Sequence, residues 1–418
     1  MAKLDLLTGM KVIDMASFVA APMCAKILAE YGADVIRIEA LTGDDKTRDV
    51  GMRALNITNG DLPIYDVING NKRQLALNTR RPEGLAILKK LLETADVFVC
   101  HLREKDLKKL GLDWETLHAQ YPKLVFAHVN GYGSVGPYAD RGGFDSVAYV
   151  TRAGVNHAAM PVDSRPYNPY PAQGDIPTGT YLAMGVIAAY VKAQRTGVGD
   201  SVTVPLYGAG IWHGVAPIIS AQEPYNNPWP QDPMQCFSPL NCSYRAKDGS
   251  WVVLCGNGWE TPWARLVRAA GWDESLIEKY PNGMVAWQKV GELIPLVGDW
   301  IATKNYDELD QILYECDIPH DKCMSFKEIA EDPVAFESGI MQEMHYEHSG
   351  TTVRIPRSPV QFEIAGLPET IQAGVPGADS MEVLKEYGYS EEEIRALAAE
   401  RIVGLGDTWT RDYLIVKK

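Results

Sequence analysis

The chain predicts an α/β fold: a doubly wound parallel sheet in a large domain, accompanied by a smaller α+β domain. Three observations lead there. Apolar strand-like runs alternate with helical segments through the first 130 residues, the pattern of a parallel sheet covered on both faces. The 418 residues are 46% hydrophobic and 22% charged, enough for a large core and for more than one domain. A stretch rich in Pro, Asn, Gln and Trp from Gln222 to Leu240 then breaks the regular pattern and reads as a long linker.

In chain order, Lys11 to Met15 reads as a buried strand, Pro22 to Tyr31 as a helix ended by Gly32, and Asp34 to Glu39 as a second strand. Leu75 to Leu77, Val97 to Cys100 and Leu124 to Val129 are further strands. The helical segments Glu83 to Thr94 and Trp114 to Gln120 separate them. Ile176 to Val191 has no charged residue and predicts a helix buried all round. Ser201 to Gln222 is also uncharged, but Pro205, His213 and Pro217 interrupt it. It reads as a buried strand, a short helix and a connection, not as a membrane span. Beyond the linker, Asn241 to Arg245 and Trp251 to Cys255 flank Lys247-Asp248-Gly249, a hairpin signal. Helices follow over Trp259 to Ala270 and Tyr306 to Tyr314, so residues 225–331 form the smaller domain. Ser380 to Tyr387 and Ser390 to Ala399 read as helices with serine caps.

Charge and cysteine usage narrow the function. Forty Lys+Arg against 54 Asp+Glu give a net charge of −14, which argues against a general nucleic-acid or anionic-membrane surface. Residues 1–110 hold 17 Lys+Arg and 15 Asp+Glu, so an anionic small ligand finds its better field there, although ordinary solvated helix charge explains the count as well. Seven scattered cysteines without CxxC spacing suit a reducing cytoplasm and imply no zinc site. The N-terminus lacks the build of a signal peptide.

An α/β opening invites a nucleotide-cofactor reading, yet Ala16 to Pro22 after the first strand contains no GxGxxG. Glu39 then reads as a surface carboxylate. Asp175 in Gly174-Asp175-Ile176-Pro177 is the most suggestive position, because a carboxylate beside a glycine can meet a substrate closely and attack a thioester carbonyl. From the pattern alone, an ordinary helix cap is the better reading of it. Arg80, Arg81, Arg103, Lys105, Lys108 and Lys109 lie near strand ends, where ligands of open α/β sheets sit, or form solvated helix faces. Gly131 to Pro137 is a glycine-rich loop after a strand, a turn or a place of close ligand approach.

Taken together, these segments resemble the class III CoA-transferase family of the formyl-CoA and carnitine type. The likeness runs through Val12-Ile13-Asp14, Ala20-Ala21-Pro22, Gly32 to Glu39, Asn71-Lys72-Arg73, Leu77 to Arg80, Gly131-Tyr132-Gly133, Gly174-Asp175, Thr196 to Asp200 and Glu382 to Glu386. The resemblance reverses the reading of Asp175: it falls on the family's nucleophile, which passes through an aspartyl anhydride and an aspartyl-CoA thioester. It implies CoA contacts at Val19, Ala20, Leu77, Arg80, His101, Leu102, Arg103, Lys109, Asn130, Gly131, Tyr132 and Gly133. No metal or permanently bound cofactor is expected, the CoA thioester being the substrate. Lys109 and Ala40 stand where the formyl-CoA enzyme has arginines, so phosphate contacts are expected to shift to Arg37 or Arg48.

The fold implied is a Rossmann-like large domain, residues 1–210 and 345–418, in a cytoplasmic homodimer of interlocked rings. The partners implied are acyl-CoA and small carboxylic acids, with no nucleic acid or membrane. The first loop and the His101-Leu102-Arg103 turn look most like the branch acting on (R)-2-hydroxy acids such as phenyllactate or 2-hydroxyisocaproate. Phe18, Tyr149, Tyr170 and Trp212 are the expected apolar pocket. Two alternatives stand beside transfer: an acyl-CoA racemase of the same fold, disfavoured because Phe144 replaces the histidine of a Gly-His-Asp segment, and a CoA-binding protein without turnover.

Overall fold

The computed structural model describes residues 4–43, 45–48, 55–161, 163–167, 169–230, 236–256 and 258–408. Two compact units emerge, one comprising Met1–Asn156, Asn168–Ile219 and Pro333–Lys418, the other His157–Tyr167 and Ser220–Asp332.

The first unit is built on a seven-stranded sheet. Its strands are β1 (Lys11–Met15), β2 (Asp34–Glu39), β3 (Arg73–Leu77), β4 (Val97–Cys100), β5 (Val125–Asn130), β6 (Ser201–Pro205) and, from the end of the chain, β12 (Val403–Gly404). They lie in the order β12-β3-β2-β1-β4-β5-β6. All neighbours are parallel except the β12–β3 pair. Alternation decides which face each side chain serves. Val12, Val35, Val97 and Ala127 pack under the helices Ala20–Glu30 and Asp175–Thr196, while Ile13, Ile36, Phe98 and Phe126 join the core with Leu88 and Leu117 from helices Pro82–Leu92 and Trp114–Gln120. Strand order reverses between β1 and β4, and ligands of such sheets bind outside the carboxyl ends of the strands at that switch.

Several expectations need correction. The first helix begins at Ala20, two residues early, because Pro22 within a first turn has no donor to lose. The helix opened by Asp175 runs on to Thr196 and is not buried all round: Ile176, Met184 and Val191 are exposed. Glu39 is buried, not superficial, and accepts from Arg48 at 2.8 Å and from the Tyr65 hydroxyl at 3.1 Å. Ser380 does not cap its helix. It sits inside, and its hydroxyl accepts the Ala76 N–H of β3, while Asp379 precedes it. The connection expected after His213 contains a further helix, Val215–Ser220. Of the linker from Gln222 to Leu240, residues 231–235 lie outside the described residues, and the remainder holds neither helix nor strand.

The second unit carries a three-stranded antiparallel sheet of β7 (Ser243–Arg245), β8 (Trp251–Leu254) and β9 (His320–Lys322). Its core of Trp259, Trp263, Leu266, Val297 and Leu313 is its own. In the first unit, β10 (Met341–Tyr346) and β11 (Thr351–Pro356) form a separate hairpin.

Candidate active site

Asp175 is the first residue of its helix and Gly174 holds the cap position, so the aspartate is not the cap that its sequence pattern suggested. Among the described residues its carboxylate takes no hydrogen bond. Two glycines place it. A side chain at Gly174 would meet Tyr149 Cγ at 2.3 Å, and one at Gly179 would meet the Ala20 carbonyl oxygen at 2.4 Å. The helix start is thereby pressed against Tyr149 and the first turn of the helix Ala20–Glu30. Asp145 accepts the Ser146 N–H at 2.6 Å and the Gly174 N–H at 3.4 Å, pinning the residue before Asp175. Burial, aided by the charge of Asp145, pushes the Asp175 carboxyl from 3.8 up to about 7.

The carboxylate lines a cavity of about 470 Å³ at the switch between β1 and β4. Ser17 and Phe18 come from the loop after β1, Ala20 and Ala21 from the first turn of the helix that follows it, His101, Leu102 and Arg103 from the turn after β4, and His128, Asn130 and Gly131 from β5 and its end. The Ser17 N–H donates to His101 Nδ1 at 3.3 Å, leaving the ring proton on Nε2, 3.2 Å from Ser17 Oγ. His128 Nε2 donates to the Leu102 carbonyl at 2.8 Å. Burial lowers both imidazoles, so they brace two walls as neutral rings. Asn130 Oδ1 accepts the Gly133 N–H at 2.7 Å, closing the glycine loop as a turn that is also a cavity wall.

Of the residues expected at the site, Asp175, Ala20, His101, Leu102, Arg103, Asn130 and Gly131 line this one cavity. Val19 is buried between the lining residues Phe18 and Ala20, and Tyr132 and Gly133 stand between the lining residues Gly131 and Ser134. Leu77 and Arg80 lie on a different cleft of about 500 Å³. Lys109 stands exposed on helix Glu104–Leu110, 3.6 Å from Asp106, and lines none of these cavities. Arg37 and Arg48, expected to take over phosphate contacts, lie inside the fold, although Arg37 also lines a second cavity of about 290 Å³. Both are buried and committed internally, Arg37 to Asp14, Asp45 and the Ala16 carbonyl, Arg48 to Glu39 and the Gly374 carbonyl.

Phe18 alone of the four expected pocket aromatics lines the cavity; Tyr149 is buried behind Gly174, and Tyr170 and Trp212 are not part of the lining. Its partner is Phe144, whose ring meets it edge-on at 5.3 Å and 73°. Phe18 holds φ at +64°, a conformation unfavourable for an aromatic residue. Sequence reasoning treated Phe144 only as a missing histidine. The signal that places it was the pair Gly142-Gly143: Gly143 packs on Gly131, where a side chain on either would come within 2.9 Å of the other's Cα.

The fold is shared with a CaiB/BaiF family protein from Brucella suis, with a TM-score of 0.77 over 91% of this chain and 99% of that one at 23% identity. Residues 7–380 match the model of CoA-transferase family III. The chain belongs to that family. It is 34% identical over 403 residues to (R)-2-hydroxy-4-methylpentanoate CoA-transferase of Clostridioides difficile, covering 95% of this chain and 99% of the relative. It is 33% identical over 401 residues to cinnamoyl-CoA:phenyllactate CoA-transferase of Clostridium sporogenes, covering 95% and 97%. Formyl-CoA:oxalate CoA-transferase of Escherichia coli strain CFT073 is 27% identical over 414 residues.

Proposed function

We propose that this enzyme moves CoA from an acyl-CoA, such as an enoyl-CoA, to an (R)-2-hydroxy acid with an apolar side chain, with Asp175 as nucleophile. The observation that carries the reading is a half-buried carboxylate, without a hydrogen bond among the described residues, facing a cavity at the sheet's switch point. The acid class follows the two relatives above, and the aromatic wall of Phe18 and Phe144 supports it.

The steps follow from carboxylate chemistry. An Asp175 oxygen attacks the donor thioester carbonyl and expels CoA thiolate, leaving an aspartyl mixed anhydride. The thiolate attacks the aspartyl carbonyl, releasing the donor acid and leaving an aspartyl-CoA thioester. The acceptor carboxylate attacks that thioester, expelling the thiolate and forming a second anhydride. Attack of the thiolate on the acceptor carbonyl gives the new acyl-CoA and restores Asp175. Arg103, at the cavity, supplies positive charge near the developing oxyanions. Val19, Ala20, His101, Leu102 and the Asn130–Gly133 turn shape the path of the CoA arm in this reading, and no resident cofactor is required.

Two chains acting as a homodimer are part of the proposal, as is a cytoplasmic site of action. Among the described residues no helix is long and apolar enough to cross a membrane. Mass spectrometry of the chain quenched after exposure to acyl-CoA should find the acyl group or its hydroxylamine adduct on the peptide containing Asp175. Asp175→Ala should lose activity by at least about a thousandfold. A fully active Asp175→Ala would end the reading.

A further inference from the structure

Three cavities of the first unit adjoin one another. That of Asp175 shares Ser17, Phe18 and His101 with a second of about 290 Å³, and this one shares Ala40 with the third, the cleft of about 500 Å³ holding Leu77 and Arg80. They make a track past the carboxyl ends of β4, β1, β2 and β3, with Asp175 at one end. Ala40 brings no charge to the far end. Arg80, Arg81 and Arg401 do, against Glu400 as the one acid of that lining.

Arg401 reaches the cleft through the last strand of the sheet. β12 pairs antiparallel with β3, Val403 opposite Leu77, and the Asn78 N–H donates to the Ile402 carbonyl at 2.8 Å. Asn78 Nδ2 donates to the carbonyl of Arg401 itself at 3.4 Å, and Arg401 holds φ at +58°, unusual for a residue with a side chain. The segment is thus held in place although Arg401 is exposed. Among the described residues, no ion pair or side-chain hydrogen bond engages the guanidinium of Arg401 or of Arg80, whereas Arg81 lies 3.4 Å from Glu83. Two unengaged planar forks on one cleft, over an apolar floor that includes Leu77, suit a phosphate carried beside a purine.

We infer that Arg401, with Arg80 beside it, grips the ribose 3′-phosphate at the nucleotide end of the acyl-CoA. The inference rests on the reading of this chain as an enzyme of CoA thioesters, and goes beyond it: residue 401 lies outside the segment that matches the family model, which ends at 380. It assigns to Arg401 a contact for which Arg37 and Arg48, buried and ion-paired to Asp14, Asp45 and Glu39, are less free.

Calorimetric titration of the full chain with coenzyme A and with 3′-dephospho-coenzyme A separates the possibilities. Arg401→Ala should weaken coenzyme A about tenfold and leave the dephospho compound within about twofold, with Arg401→Lys recovering part of the loss. Retained affinity for the dephospho compound also reports that the variant is folded. Unchanged affinity of Arg401→Ala for coenzyme A, or an equal loss for both ligands, overturns the assignment. A wild-type chain that binds neither ligand overturns the CoA reading itself, and this inference with it.

Discussion

Asp175 is held where its charge is unwelcome. Its folded-state value of about 7 lies above the ordinary 3.8, so between roughly pH 4 and 7 the folded chain keeps a proton that the unfolded chain releases. The stability contributed by the neutral acid is complete below pH 4 and is lost as the pH rises through 7. Asp175→Asn, a neutral acid mimic, should therefore leave the unfolding midpoint in urea unchanged at pH 4 and raise stability at pH 8 by roughly 2 kcal/mol, less than the full linkage value because solvent reaches the group. Equal midpoints at pH 8 would show that the site does not strain the carboxylate. A nucleophile of this kind needs that strain: a carboxylate poorly stabilised by its surroundings donates electrons more readily to a thioester carbon.

Among the elements, the Asp175–Thr196 helix is a candidate face for the proposed dimer. Met184 is 67% exposed on it, and Trp212, 71% exposed, follows on the Leu206–His213 helix. Together with Ile176 and Val191 on the Asp175–Thr196 helix, they are the apolar side chains on which the proposed dimer contact would draw. Light scattering should give the mass of two chains, and Met184→Arg should reduce it toward one; a single-chain mass for the wild type would remove the dimer from the proposal.

The same helix shows what was legible beforehand. β1, β2 and β4 could be read to the residue, because apolar runs end at glycines or polar turns. The spacing Gly174-Asp175 before an uncharged helix marked the site, but burial on every side did not follow from lack of charge. The Val290–Ile301 helix carries Gly291, Pro295 and Gly298, residues that weaken a helical signal, yet Leu293, Ile294, Val297 and Ile301 bury one face strongly enough to hold it. Phe144 and Arg401 stayed invisible as site residues because only tertiary packing brings them to Asp175's track.

At the scale of the molecule, the chain's last segments complete the sheet. Asn71 Nδ2 donates to the Glu369 carbonyl, Arg73 pairs with Glu386, the Gln74 N–H donates to Asp379 at 2.6 Å, and β12 closes the row. Beneath them Lys72 bridges Asp14, Asn69 and the Pro22 carbonyl, all buried, tying β1 and the helix Ala20–Glu30 to the same edge. Asn71-Lys72-Arg73 therefore serves as a structural clasp.

A chain stopped at residue 399 should lose amide-exchange protection at Asn78 and form aggregates by light scattering at concentrations where the full chain stays dispersed; an equally dispersed truncated chain would show that the edge needs no cover. β3 bonded on one side only is a vacant template, ready to accept a strand from a neighbouring molecule. The tail that finishes the sheet thus acts as a guard against runaway self-association, and a fusion partner attached close behind it strains that guard.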